Sequence, residues 1–287
     1  MSAYRFCRTD DIGLLVDALN RCWAPYFPDQ PPMTPAAFKR LIRDLQVWCS
    51  SCMVAFAGAD PIGVLIGAKR SSATLVHRIA VHPDHQRQGH GRHLLESLSS
   101  KLAILGPPRI VAEVPDTNAA ARALFGACGY VEEAVLTDYV LEGDEEFAGH
   151  EGAAVETVNR LTIPVTVDDL VANGLLNASR PRVCWERSIE TLIARKAEVD
   201  GLAVASDERL EAYLLYIKDT GELVAIDSLV SGEGHLTRLI SQLPARGLNA
   251  LRFPKVHPAE VSPERLQTLG FGSTAKYRLC ATMARSE

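Results

Sequence analysis

No excess of positive charge runs through this chain: 30 Lys and Arg stand against 35 Asp and Glu, for a net charge of −5, and the basic residues are spread out rather than clustered. Without a cationic patch to gather phosphates, nucleic acid is not an expected partner. Nor is there a run of about 18 or more apolar residues that could span a bilayer. The opening stretch Met1-Ser-Ala-Tyr-Arg-Phe-Cys7 lacks the apolar core of a signal peptide. The expectation is a cytoplasmic protein with no membrane partner. Cysteine is sparse and odd in number, with seven scattered residues (7, 22, 49, 52, 128, 184 and 280), which reads as reduced thiols rather than a disulfide framework. Cys49-Ser-Ser-Cys52 stands alone. A zinc site would need two more ligands at matching spacing and a redox pair would need a thioredoxin-like context, so these are read as core or strand-edge cysteines and no metal is expected.

The 287 residues are 47% hydrophobic and 23% charged, which describes a globular protein long enough for two domains. Residues 142–155 are acidic, rich in Gly and Ala and have little to bury, so they read as a linker between domains at 1–145 and 156–287. Proline is concentrated at Pro25–Pro35, five in eleven positions, which makes a loop of restricted backbone between helices that begin near Asp10-Asp11 and Thr34-Pro35. Apolar runs at 52–57 and 62–68 flank a hairpin turn, and a strand at 74–82 leads to a helix at 89–104. A strand at 109–114, a helix at 118–127 and a strand near 131–141 complete an α/β unit. The second half repeats this order: helices at 167–176 and 187–198, strands at 202–205, 211–218 and 222–230, a helix at 235–245, a strand at 248–253, a helix at 263–269 and a strand at 275–283. Gly129-Tyr130 and Gly270-Phe271 are 141 residues apart, and Gly89 and Gly232 are 143 apart. Two landmarks at nearly one offset argue for an internal duplication.

Residues 74–95 organise the first half. An apolar strand ends at Pro83, and Gln86-Arg-Gln-Gly89-His-Gly91 then opens a helix carrying Leu94, Leu95, Leu98 and Leu102. Glycines let a ligand approach the backbone, and the first turn of the helix offers unpaired N–H groups and the positive end of its dipole. Such a loop is built for phosphate oxygens. Its spacing is neither the GxxxxGK[ST] of a P-loop nor GxGxxG, which would need glycine at Leu94.

Ile79-Ala-Val-His-Pro83 followed by Gln-x-x-Gly-x-Gly resembles the acetyl-coenzyme A signature of the GCN5-related N-acetyltransferases (GNAT). A second part of that pattern stands in the same order and spacing at Glu113-Val-Pro-Asp-Thr-Asn118 through Gly129-Tyr130. The resemblance covers roughly residues 4–142. It implies an α/β fold of two tandem domains, each a central mixed, mostly antiparallel sheet flanked by helices, with the second copy degenerate: Glu233 between its two glycines would repel a diphosphate. It implies acetyl-coenzyme A as co-substrate, held by Ile79, Ala80, Val81, Gln86, Arg87, Gln88, Gly89, His90, Gly91, Arg92, Asn118 and Phe125, with a backbone N–H at Val81 or a neighbour facing the oxyanion. The acetyl group would pass directly to a primary amine of a small molecule or peptide, since no activated nucleophile is evident. A homodimer is left open.

Amine acetylation needs a base for the ammonium and a way to stabilise or protonate the departing thiolate. Glu113 matches the base of the ribosomal-protein alanine acetyltransferase branch of the family, and it also reads as a strand-edge carboxylate facing water. Leu75 stands where many members carry a glutamate on the organising strand. His77, two residues on, is the second candidate, with an ordinary pKa of about 6.5 suited to proton traffic. The family's usual proton-donating tyrosine is replaced by Phe125, which cannot donate. Tyr139, Cys128 or water could serve instead, or the thiolate leaves unaided, or the chain binds an acyl-coenzyme A as a non-catalytic sensor. Trp23, Tyr26 and Phe27 read either as acceptor-facing aromatics or as packing. His82, His85, His90 and His93 crowd the loop and read as solvated rather than as metal ligands.

Overall fold

Residues 2–142, 160–177, 183–232 and 234–285 are described by the computed structural model, and the chain divides into two compact units. The expected single cut, 1–145 and 156–287, is replaced by an interleaved division: Met1–Ala134 with Arg278–Glu287, and Val135–Tyr277. Two 12-residue strands are the reason, because β6 (Val131–Glu142) and β12 (Gly272–Met283) are each shared between the units. The expected linker lies outside the described residues except for Glu142, which ends β6.

In the first unit, β1 (Ser2–Phe6), β2 (Met53–Ala57), β3 (Asp60–Lys69), β4 (Thr74–Val81) and β5 (Arg109–Pro115) form a sheet in the order β1-β2-β3-β4-β5, with β12 next beside β5. All pairs from β1 to β4 are antiparallel and β4–β5 is parallel. Helix α1 (Ile12–Cys22) buries Leu15, Val16, Ala18, Leu19 and Cys22. A single 3-10 turn, Ala24–Tyr26, follows it. Helix α2 (Pro35–Leu45) starts where the Thr34 side chain accepts from the Ala37 N–H, with proline at its first position, and stops at Gln46 in the left-handed region. Helix α3 (His90–Leu105) puts Leu94, Leu95, Leu98 and Leu102 into one buried cluster with Met53, Ala55, Leu65, Ile110 and Ala112. Helix α4 (Ala119–Ala127) is capped by Asn118, whose side chain accepts from the Ala121 N–H at 3.0 Å.

The second unit repeats this order. After β7 (Leu161–Val165) come α5 (Val167–Ala172), with a capping box between Thr166 and Asp169, and α6 (Ile189–Ala194). Strands β8 (Val199–Ala205), β9 (Leu210–Ile217) and β10 (Leu223–Ser228) join β7 in an antiparallel sheet ordered β10-β9-β8-β7. Then follow α7 (Gly234–Ile240), β11 (Ala250–Val256) and α8 (Pro263–Thr268). Strand β9 shows the period of two: Ala212, Leu214 and Tyr216 enter one buried cluster, and Tyr213, Leu215 and Ile217 the other. A single parallel bridge, Glu222↔Arg252, links the beginnings of β10 and β11. Strand β7 was not among the expected strands. It is a short edge with Pro164 inside it and Leu161 67% exposed, and an edge is where a sheet tolerates a residue without an N–H.

A fully buried ion pair lies in this unit. The side chains of Arg187 and Glu260 are 0% and 1% exposed and joined by two bonds of 2.6 and 2.7 Å. The same guanidinium donates to the Pro254 and Lys255 carbonyls at 2.9 and 3.1 Å and lies 4.5 Å from the Phe253 ring centroid. Removing one partner strands the other charge in a dry interior, which costs about 3–5 kcal/mol. Arg187→Met is therefore expected to lower the urea midpoint sharply, and Arg187→Met with Glu260→Leu to recover much of the loss. A midpoint unmoved by the single change would show that the pair contributes no stability.

Candidate functional site

The first unit's cleft begins where β4 and β5 separate. Thr74 pairs with Ile110 and Leu75 with Val111, and the parallel ladder ends there. On its other side β4 stays paired with β3, but the register jumps from Ile66↔Arg78 to Gly67↔Val76, leaving His77 as the extra residue of a bulge. Beyond the bulge, His82 N–H donates to the Ile62 carbonyl at 2.9 Å and the register runs Gly63↔Val81, Val64↔Ala80, Leu65↔Ile79. Bonded and non-bonded pairs alternate along an antiparallel ladder. Ala80 and Arg78 therefore bond back to β3, while the N–H and C=O groups of Ile79 and Val81 point into the gap that β5 leaves. An extended ligand with amide groups can complete that ladder.

Above the gap the chain turns into α3. Arg87 takes φ 60° and Gly89, the N-cap, takes φ 89°. Left-handed residues in a tight turn direct successive N–H groups to one concave side, where an anion binds. The Gln88 amide donates to the Asp84 carbonyl at 3.5 Å, and the His82 ring accepts from the Asp84 N–H at 3.4 Å. Gly91 is required for a different reason. A Cβ there would stand 3.0 Å from Leu124 Cδ2, so its absence lets α3 and α4 approach.

The resulting cleft has a volume of about 980 Å3. It brings together His77, Ile79, Ala80, Val81, Gln86, Arg87, Gly89, His90, Gly91, Arg92, Glu113, Asn118 and Phe125, together with Trp23, Tyr26 and Phe27. Gln88 is not among the lining residues, and neither is Tyr139. Tyr139 is 7% exposed and packs in the second unit's core with Leu141, Phe253 and Leu214; its register position opposite Phe253 on β11 puts it there. Phe125 is 3% exposed, set edge-to-face on Tyr130 with centroids 4.9 Å apart. Burial pushes up the thiol pKa of Cys128. The bulge also breaks the period of two that would place His77 on the face of Leu75: Leu75 is buried in the sheet, whereas Val76, His77 and Arg78 all border the cleft.

Several contacts could not be read from sequence. The Tyr26 hydroxyl donates to the Val81 carbonyl at 2.5 Å and accepts from the Gln86 side-chain amide. Trp23 stacks on Phe27 at 4.6 Å with the Arg78 guanidinium 5.2 Å from its centroid. His90 is 6% exposed and shares a 2.6 Å hydrogen bond between its Nδ1 and the Tyr4 hydroxyl, while Nε2 is buried without a partner among the described residues. The contacts of Tyr26 and His90 span 55 to 86 residues, so local pattern carries no trace of them.

The model of the Acetyltransferase (GNAT) family matches residues 15–130. Over 67 residues the chain is 46% identical to the ribosomal protein bS18-alanine N-acetyltransferase of Escherichia coli strain K12, covering 23% of this chain and 45% of that one. The Salmonella typhimurium counterpart is 41% identical over 83 residues, 29% of this chain and 53% of the other. The chain thus spans about half the length of the curated relatives it matches. In structure it is similar to a tandem GNAT protein from the clavulanic acid biosynthesis pathway, with a TM-score of 0.67, 16% identity and 100% of both chains covered. A GCN5-related N-acetyltransferase from Sphaerobacter thermophilus gives a TM-score of 0.64 at 12% identity, covering 99% of this chain and 96% of that one. At such identities these two show the fold alone, an α/β chain of tandem GNAT type with a large mixed sheet flanked by helices. The match to the family model lies within the first unit.

Burial, then the nearby His85 and His93, lowers the His90 pKa from 6.5. The unfolded chain therefore takes up this proton first as pH falls, so stability present above about pH 6.5 is lost as pH falls through the lower folded value. His90→Gln is expected to flatten the fall in urea midpoint between about pH 7 and pH 5. Equal slopes in the two proteins would show that His90 titrates alike folded and unfolded.

Proposed function

We propose that this chain is an acetyl-coenzyme A-dependent N-acetyltransferase that passes the acetyl group directly to a primary amine within a ternary complex. The parted β4 carries the reading, because it turns the amide groups of Ile79 and Val81 into a cleft that ends at a phosphate-type loop. The pantetheine arm would run along those groups and reach Asn118, and the diphosphate would lie against the N–H groups of residues 87–91. Glu113, on β5 across the gap, is the first choice of base and His77, in the bulge, the second. Trp23, Tyr26 and Phe27 wall the acceptor end. The bS18-alanine acetyltransferases named above make a peptide α-amine one class of acceptor to test beside small amines. The second unit is assigned no coenzyme, which makes the expected stoichiometry one per chain.

Phe125 favours a second reading. Locked in an apolar core, it supplies no proton to a thiolate, as suits an acyl-coenzyme A sensor. Thiol release from acetyl-coenzyme A across a panel of amines and peptides separates the two. For the enzyme, Glu113→Gln should lower turnover by about 10²- to 10⁴-fold with coenzyme affinity unchanged; tight binding with no turnover on any amine would favour the sensor.

Coenzyme binding has its own test. Nothing lies within 4 Å of a Cβ built on Gly89, so Gly89→Val acts through backbone strain rather than collision. A β-branched residue held left-handed should weaken calorimetric affinity for coenzyme A by roughly tenfold or more. Unchanged affinity would move the diphosphate elsewhere.

A further inference from the structure

We propose that Tyr26 is a positioning residue that clamps the diphosphate loop from the acceptor side of the cleft, an inference that rests on the coenzyme reading above. Its hydroxyl joins two places that the chemistry needs in fixed relation. It donates to the Val81 carbonyl, the last cleft-facing acceptor on β4, and it accepts from the side-chain amide of Gln86, the residue that enters the loop. A carbonyl oxygen has two lone pairs, so an amide of the pantetheine arm can share Val81 with the phenol.

The loop has reason to need such an anchor. Arg87 holds a left-handed backbone conformation without being glycine, and such residues persist where their surroundings over-determine them. On one side of Arg87 the Gln86 side chain is tied to Tyr26; on the other, Gln88 is tied to the Asp84 carbonyl. The two ties hold the strained residue between them, so that the N–H groups are already arranged when the anion arrives. Tyr26 itself is no core anchor, since it keeps 39% of its surface exposed. It stands on the 3-10 turn between α1 and α2, three residues from Trp23 and next to Phe27, which stack on each other. A residue so placed couples the two ends of the cleft: an ordered coenzyme loop holds the aromatic wall, and a held wall orders the loop.

The test uses the full chain, calorimetry and two probes: coenzyme A, and its nucleotide part without the pantetheine arm, 3′-phosphoadenosine 5′-diphosphate. Tyr26→Phe keeps the ring and removes both hydrogen bonds; Gln86→Leu removes the other end of the tie. Each is expected to weaken both probes roughly fivefold to tenfold, with the ligand-free melting temperature unchanged, and the double variant to lose little more than either single one. In turnover, Tyr26→Phe should raise the KM for coenzyme and acceptor together more than it lowers kcat. Wild-type affinity in Tyr26→Phe, losses that multiply in the double variant, or a loss confined to coenzyme A would each overturn the proposal; the last would place the role of Tyr26 at Val81 alone. If the wild-type chain binds neither probe, the coenzyme reading falls and this inference with it.

Discussion

The structure of the first unit turns on one unmade set of hydrogen bonds. After Leu75 and Val111 the strands β4 and β5 no longer pair, and the amide groups of Ile79 and Val81 face a gap instead of a neighbouring strand. Buried backbone groups without partners are costly, so a parted sheet persists where water or a ligand satisfies them. Three features border the gap. The bulge at His77 bends β4 as it leaves the ladder, Gly91 lets α3 close onto α4 beside it, and the glycine loop ends the gap with further unpaired N–H groups at the start of a 16-residue helix. One ligand with amides along its arm and phosphates at its end would complete both rows.

In the second unit the same order of elements closes differently. β10 and β11 touch by one parallel bridge, Glu222↔Arg252, as β4 and β5 begin together. From there the backbone of β11 is served from within the chain, because Arg187 takes the Pro254 and Lys255 carbonyls and is itself closed by Glu260. The Asp138 carboxylate accepts from the Lys255 N–H at 2.8 Å and from Arg252 at 2.9 Å. The helix after β10 has seven residues against sixteen in α3. There the polar groups beside β11 have fixed internal partners.

Much of this was legible in the sequence. The apolar spacing of Leu94, Leu95, Leu98 and Leu102 gave α3 its face, and Thr34-Pro35 and Asn118 marked helix starts that the structure keeps as caps. The glycines at 89 and 91 announced the loop. The register of β4 was not legible: a bulge moves one residue across the strand without altering composition, and so the face of His77 could not be counted from Leu75. Long-range closures were equally silent. Nothing near Arg278 in the sequence reveals that this end of β12 returns to the first unit, where it bonds Asp116 and Glu132 at 2.7 Å. Pro164 disguised β7, since proline argues against a strand unless the strand is known to be an edge. Tyr139 was misplaced for a related reason: it follows the first unit's last residues in sequence, but the strand that carries it changes units at Val135.

Phe125, where the family resemblance implies a tyrosine, also looks different once protons are counted over the proposed reaction. Attack by a neutral amine gives a tetrahedral intermediate whose nitrogen carries one proton too many and whose departing sulfur lacks one. The two needs cancel, so a group between nitrogen and sulfur can take the proton from one and return it to the other. Glu113 on β5 and His77 in the β4 bulge border the same cleft, and under the proposed reaction either would be the group asked to carry that proton. A dedicated donor would hold its proton beside the sulfur from the start and so assist departure; a carrier delivers it only after the amine has been relieved of it. If the proposed reaction holds, a buried Phe125 packed on Tyr130 would leave collapse of the intermediate to the acceptor's own proton, and amines that shed it readily would be the faster substrates.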